Sequence, residues 1–414
     1  MKILLLLTHS FPYGSGEDFI SAELKYISGF DKAFICPCSR EKDSVQTKPI
    51  PDSIKCMPVS RTGLGKKEYI RLQFYPCVAG EIFRLMHTGR LQYSRVHELL
   101  FFMRNAKEIY NGLKQFVNIN PDDEVLIYSY WLYDAAAAGV WLASYIRKMG
   151  AKVHQVSRAH RFDIYSSLAH YNYLPMRRWL FKHIDHIYPC SNDGAETLRA
   201  EAGPYAGKIS RSYLGTVDHG YGMVSQMPLH IVSCSFISPV KRLNLIAEAL
   251  QQVDFPVAWT HIGSGPLEQQ LRDAAKKFPQ NVSAEFLGQK NNSEVLEYYK
   301  KNQVSVFVNV SSSEGIPVTI MEACSFGIPV IATDVGGTHE IITNGVNGFL
   351  LPKDFSAQEF LGFLRRIYEM DESDYHAMCV NARKSWEKNF DAAKNYRSFY
   401  SGLAALTEGK QQKA

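Results

Sequence analysis

Short runs of consecutive apolar residues recur along the chain, and a stretch of helical periodicity follows most of them. In the first half the runs fall at Ile3–Leu7, Ala33–Cys36, Val125–Tyr130, Val153–Ser157 and His186–Pro189. In the second they fall at Ile231–Ser235, Val257–Ile262, Ser283–Leu287, Val304–Val310 and Val330–Thr333. Many are apolar without alternation, which predicts strands covered on both faces. Helical patterns lie between them, at Phe19–Ile27, Leu243–Val253, Leu267–Lys277 and Ser293–Lys300. Strand and helix in alternation predict an α/β fold built of doubly wound parallel sheets.

A chain of 414 residues is too long for one ordinary core, so two such domains are expected. The boundary signal is GTVDHGYGMVSQMP, Gly215–Pro228, where glycine, proline and polar residues separate the two alternating halves. This predicts a first domain over 1–222 and a second over 223–384. The last stretch, 385–414, reads as one helix followed by a polar tail. From Arg61 to Gln115 the pattern turns helical, aromatic and basic, with ten Lys/Arg against four Asp/Glu. This insertion, and the stretch Tyr173–Lys182, read either as a helical layer on the first sheet or as an amphipathic face for a membrane.

Composition is that of a globular protein, 46% hydrophobic and 21% charged, with a net charge of +5. Dense Lys/Arg runs are missing, so nucleic acid is not an expected partner. The 8 cysteines are scattered, with Cys36 and Cys38 the one close pair, and nothing has zinc-site spacing. That is a cytosolic pattern. The apolar start MKILLLL stops at Leu7, and no run approaches the ~20 apolar residues of a membrane span.

The chemistry concentrates in Ser311–Gly337, SSSEGIPVTIMEACSFGIPVIATDVGG. A buried strand, a glycine-proline turn and a helix over Pro317–Phe326 are expected, with proline at the helix start and Gly327 at its exit. The turn then sits at the carboxyl end of a parallel strand and presents a helix amino-terminus, which attracts phosphate. Glu314 and Glu322 beside such a site would repel phosphate, yet carboxylates are good acceptors for hydroxyls. A nucleoside diphosphate sugar offers both groups. The bland alternative is a helix-start charge at Glu314 and a solvated Glu322.

This stretch closely resembles the E-x7-E signature of glycosyltransferase family 4, retaining enzymes of the GT-B fold, and the match continues through HEIITNGVNGFLL. The resemblance implies two Rossmann-like domains facing each other across a cleft. It also implies that Glu314 meets donor-sugar hydroxyls and Glu322 the ribose, while Gly315, Ile316 and Pro317 follow the diphosphate. In SFISPVKRLNLIAEAL it places Lys241 on the diphosphate. Many members carry an arginine where this chain has Phe236, and Arg242 is expected to compensate. HIGSGPLEQQL, with Gly263 and Gly265, resembles the loop near the nucleoside. HSFPYGSGEDFISAEL resembles the glycine-bearing loop after the first strand, with Gly14 and Gly16 near the ligand and Glu17 beside them. SRAHRFDIY brings Arg158, His160 and Asp163 to a strand end, and the matching histidine approaches the donor sugar. Tyr130 and Trp131 are candidates for acceptor stacking or for core packing. The terminal helix, with Trp386, Phe390 and Tyr396, resembles the segment that crosses back to the first domain.

The expected function is therefore transfer of a hexosyl unit from a UDP- or GDP-sugar to a glycan or lipid-linked acceptor, with anomeric retention. Glu314, His160 and Lys241 are the expected catalytic residues, and no cofactor or metal is expected. Capsule, exopolysaccharide or lipopolysaccharide assembly is the implied setting, in the cytoplasm or on the inner face of its membrane. A noncatalytic nucleotide-sugar-binding protein, or another GT-B enzyme such as an epimerase, is the alternative.

Overall fold

A computed structural model describes residues 1–14, 17–39, 45–61 and 63–407. The chain divides into two compact units, Met1–Tyr213 joined by the chain from Tyr396 onward, and Leu214–Asn395.

The first unit holds six strands, β1 (Lys2–Thr8), β2 (Lys32–Pro37), β3 (Ile54–Cys56), β4 (Glu124–Ser129), β5 (Lys152–Ala159) and β6 (His186–Pro189). They run parallel in the order β3-β2-β1-β4-β5-β6. In β1 every residue from Ile3 to Thr8 is buried, the pattern of a strand with helices on both faces. The reversal of direction between β1 and β4 is the topological switch point, where open α/β sheets bind ligands beyond the carboxyl ends of their strands.

The second unit repeats the plan. A two-stranded ladder pairs β7 (Met223–Val224) with β11 (Gln303–Val304). The main sheet consists of β8 (His230–Cys234), β9 (Val257–Ile262), β10 (Val282–Phe286), β12 (Val306–Asn309), β13 (Val330–Thr333) and β14 (Gly348–Leu351). Its order is β10-β9-β8-β12-β13-β14, again parallel, with the switch between β8 and β12.

The basic insertion is three helices, Lys66–Gln73, Pro76–His87 and Tyr93–Phe116. Phe102, Met103 and Ala106 of the last join Ala136, Ala137 and Val140 of the Asp134–Lys148 helix in one buried cluster. The insertion is thus a layer of the first unit on its inner side, while Phe74, Phe83, Met86 and Tyr93 remain exposed on its outer side.

The C-terminal region is two helices, Glu372–Asn389 and Ala392–Thr407, where the sequence reading expects one. The break at Phe390–Asp391 has a tertiary cause. Thr216 donates its backbone N–H to the Phe390 carbonyl and accepts the N–H of Ala392, and a continuing helix would have no carbonyl or N–H to give. Trp386 Nε1 adds a 2.7 Å bond to Thr216 Oγ1.

Under the first sheet lies a buried polar cluster. The Glu23 carboxylate accepts from Tyr128 (2.9 Å), Tyr130 (3.2 Å) and Tyr400 (3.0 Å), and the Arg158 guanidinium lies 3.6 Å away. Arg158 also donates to Tyr128 Oη and to the Ser212 carbonyl. Its guanidinium stacks 4.2 Å from the Phe399 ring centroid. Most of the donors and acceptors of this buried charge pair are met in this way, as its removal from water requires, while Arg158 Nη2 has no hydrogen-bond partner among the described residues. Among the described residues no helix is long and apolar enough to cross a membrane.

Candidate functional site

In the second unit, four expected residues converge at the carboxyl edge of the sheet. Glu314 stands in the loop after β12, and Lys241 ends the short turn Pro239–Lys241 after β8. Lys241 Nζ lies 2.6 Å from Glu314 Oε1, and Asn309 Nδ2 donates to the same oxygen at 3.4 Å. Among the described residues Glu314 Oε2 has no hydrogen-bond partner, which leaves one carboxylate oxygen able to accept. The ammonium, with three N–H donors, has two beyond its bond to Glu314. The pair answers the objection that an acid here repels phosphate, because Lys241 neutralises it.

Glu322 lies on the Val318–Ser325 helix, 6% exposed, and accepts from Asn292 Nδ2 at 2.7 Å. Cys234, at the end of β8, feels both Glu322 and Lys241. Burial first, then the Glu322 charge, pushes its thiol up to about 12, with Lys241 opposing. The two carboxylates therefore flank the end of β8. Pro317 stands at the helix start in extended conformation, followed by free helical N–H groups.

The glycines here serve close backbone contact. A Cβ on Gly336 would stand 2.1 Å from the Glu314 carbonyl oxygen, and Gly337 N–H donates to the Gly315 carbonyl at 2.7 Å. The loop bearing Glu314, Gly315 and Ile316 is thereby pinned against the segment after β13. A Cβ on Gly263 would stand 2.0 Å from the Ser235 carbonyl, and one on Gly265 2.3 Å from that of Ile237. These two glycines seat the β9 loop on the β8 loop, and Ile237 N–H donates to the Ser264 carbonyl across it.

Arg242 does not compensate for Phe236. Its guanidinium donates to the carbonyls of Val310 (2.8 Å), Lys353 (2.7 Å) and Ser311 (3.3 Å), while Phe236 is 59% exposed. Arg242 braces the Lys241 turn against the Glu314 loop. Asn309 and Asn292, which hold the two carboxylates, went unread because a single asparagine at a strand end or helix start carries no pattern. Buried Ser235 Oγ and Ser311 Oγ at the same edge also lack hydrogen-bond partners among the described residues.

The first unit gathers a second group at the carboxyl ends of β1, β4 and β5. Glu17, with φ of 60°, accepts from His9, Ser10 and Phe11 N–H groups at 3.0, 2.8 and 2.7 Å. Trp131 Nε1 donates to it at 2.6 Å. Four donors fill the acceptor positions of a carboxylate, so Glu17 shapes the loop rather than a ligand contact. Gly14 takes a φ of 71° in that loop, and Gly16 lies outside the described residues. Asp163 is wholly buried and accepts from the backbone N–H groups of Leu132, His160 and Arg161, again a brace. Arg158 and Tyr130 are fully buried in the Glu23 cluster, which removes both from the acceptor candidates.

His160 keeps 7% exposure, stacks on Tyr130 with ring centroids 4.9 Å apart, and packs against Trp131 at 4.6 Å with the rings tilted. Its Nε2 lies 3.1 Å from the Tyr130 carbonyl. A carbonyl only accepts, so Nε2 carries the proton and Nδ1 keeps a lone pair. Burial, then the Arg158 charge, pushes its pKa down to about 3. His160 is a neutral acceptor, unsuited to proton donation as imidazolium. Burial holds His186 and His261 at about 4 as well. Folded values below the unfolded ~6.5 mean that this stabilisation is complete above that pH and is lost as pH falls toward 4 and 3. Thermal midpoints should therefore drop on acidification below about pH 6.5. His160→Asn should flatten that drop, and an unchanged slope contradicts the buried neutral state.

The second-unit site falls within a match to known proteins. Residues 225–386 match the family described as glycosyl transferases group 1. The match covers most of the second unit, Leu214–Asn395. The matched segment contains Lys241, Glu314 and Glu322, and the first-unit group lies outside it. WcaL of Salmonella typhimurium, a glycosyltransferase assigned to colanic acid biosynthesis, is 28% identical over 283 residues, 66% of this chain and 68% of that protein. The amylovoran biosynthesis glycosyltransferase AmsK of Erwinia amylovora is 30% identical over 43% of this chain and 45% of its own length. The fold is shared with Anabaena HepE, crystallised with UDP and glucose, at a TM-score of 0.64 and 17% identity. That likeness covers 98% of this chain and all of the other. The chain is thus a glycosyltransferase with the two Rossmann-like domains of the GT-B fold.

Proposed function

We propose that the chain transfers a hexosyl unit, with retention, from a UDP- or GDP-sugar to a glycan or lipid-linked saccharide in bacterial surface-polysaccharide assembly. The observation that carries this reading is the Lys241–Glu314 pair beside Glu322 at the switch point of the second sheet. Relatives named for colanic acid and amylovoran biosynthesis support the polysaccharide setting, and HepE complexes with UDP and UDP-glucose support the donor class.

In this reading Glu314 Oε2 accepts a hydroxyl of the donor sugar, and Glu322 accepts the ribose hydroxyls. Lys241 faces the diphosphate. When the bond from the anomeric carbon to the diphosphate oxygen breaks, negative charge gathers on that oxygen, and the ammonium stabilises it where solvent is scarce. The acceptor oxygen bonds to the anomeric carbon on the same face, and its proton passes to the departing diphosphate oxygen. No side chain becomes glycosylated. His160 Nδ1 is an acceptor for a sugar hydroxyl. The positive charge comes from Lys241, so the reading assigns no role to a metal.

A thermal-shift screen over UDP- and GDP-sugars tests the donor class, because a ligand that binds the native state raises the midpoint by mass action. The stabilising donor should then be hydrolysed slowly without acceptor, and EDTA should leave that rate unchanged. Stabilisation with no hydrolysis would favour a noncatalytic binder instead.

A further inference from the structure

The later half of the Asp134–Lys148 helix carries a surface pocket of about 230 Å³. That helix starts at the carboxyl end of β4 and runs back along the sheet, which puts Trp141 and Lys148 roughly 10 and 21 Å along its axis from Asp134. The pocket thus lies toward the opposite edge of the sheet from the group around His160. Trp141, Ser144, Tyr145 and Lys148 have the spacing of one helical face. Lys107, Tyr110 and Lys114 share a face in the same way on the Tyr93–Phe116 helix packed alongside.

Three rings wall the pocket. Tyr75 and Tyr110 stand edge-on to Trp141, each with its centroid 6.1 Å away, at 77° and 72°. Lys107 sits among them, with Nζ 4.7 Å from the Tyr110 centroid, 5.7 Å from that of Trp141 and 5.9 Å from that of Tyr75. The negative ring faces hold the ammonium in place without using its N–H groups. Its ion-pair partner, Glu68, lies 3.9 Å away, beyond hydrogen-bond reach, and also accepts from Asn111. Lys148 adds a second cation to the wall, and Lys114 Nζ lies 4.5 Å from the Tyr145 centroid. Among the described residues no acid lines the pocket.

These features choose the ligand. Two lining ammonium groups with no acid beside them in the wall select an anion. The hydroxyls of Tyr75, Tyr110 and Tyr145 and the indole N–H of Trp141 make no hydrogen bond to any described residue, so four polar groups around the rings are unused. Ring faces edged by such groups fit a saccharide, which has an apolar C–H face and a polar rim. A nucleobase is a flat plate that stacks between parallel rings, whereas these rings meet at a corner.

We propose that this pocket binds a hexuronate unit, with its C–H face on Trp141 and its carboxylate on Lys107 and Lys148. The site is separate from the transfer site, and binding there does not depend on the transfer reading. In ligand-observed NMR titrations the full chain should bind methyl glucuronide about tenfold more tightly than methyl glucoside. Saturating UDP should leave that affinity unchanged. Lys148 is exposed, so Lys148→Ala keeps the melting temperature while lowering glucuronide affinity about fivefold. Lys107→Met keeps an apolar stem over the rings and should lower it about tenfold. No glucuronide binding, equal affinity for the two glycosides, competition by UDP, or affinity unmoved by both substitutions overturns the proposal. Adenosine monophosphate bound more tightly than the glucuronide, and weakened by the same two substitutions, would reassign the pocket to a planar anion and overturn it too.

Discussion

Glu314→Ala is expected to lower kcat/KM roughly 10³-fold while leaving the fold intact. Losing one preorganised electrostatic contact at a reacting centre costs a factor on the order of 10²–10³. Here the substitution removes two things, the oxygen that accepts a sugar hydroxyl and the partner that positions Lys241 at 2.6 Å. The cost to stability is small, because the Lys241 side chain keeps 27% of its exposure and water solvates the orphaned ammonium. Glu314→Gln separates the two contributions. It keeps an acceptor oxygen but not the charge, so its loss should fall between wild type and alanine. Single-turnover measurements with saturating donor check the assignment, and alanine turnover near wild type would remove Glu314 from the chemistry.

Arg158→Ala is expected to have the largest effect on stability, about 3–5 kcal/mol, the usual cost of leaving one buried charge without its partner. Against the 5–15 kcal/mol of a typical domain that is a large fraction. Glu23 would stay buried beside three tyrosine hydroxyls with no cation to balance it. Calorimetry should show the first unit melting well below wild type while the second, which contains neither residue, keeps its transition. The double change Glu23→Gln with Arg158→Met should recover much of the loss, since a buried ion pair replaced as a pair is often neutral. A single Arg158→Ala transition at the wild-type temperature would contradict the cluster's role.

The architecture was legible because parallel strands buried on both faces leave unbroken apolar runs. β6, β9 and β13 begin and end where those runs do, at His186–Pro189, Val257–Ile262 and Val330–Thr333. β3 escaped because Ile54–Cys56 is three residues long, below what periodicity resolves, and β14 because Gly348–Leu351 follows a glycine- and asparagine-rich turn. The break at Phe390 was invisible for another reason. It depends on Thr216, far away in sequence, and local propensity there favours a continuous helix.

The site divides in the same way. Residue type and spacing pointed to Glu314 and Glu322, because a strand end, a turn and a helix start fix their neighbourhood, whereas Lys241 came from the family resemblance. Spacing says nothing of where a long side chain finds its partners. Arg242 turned to three carbonyls, Glu17 to four donors and Arg158 to a buried carboxylate. Each lies within two residues of another candidate in sequence.

A crystal structure of the chain with an intact UDP-sugar is the most direct measurement of the central assignment. The account predicts a sugar hydroxyl on Glu314 Oε2, the ribose hydroxyls on Glu322 and the diphosphate on Lys241 Nζ. A donor bound with its diphosphate remote from Lys241, or with neither carboxylate on a hydroxyl, would contradict it.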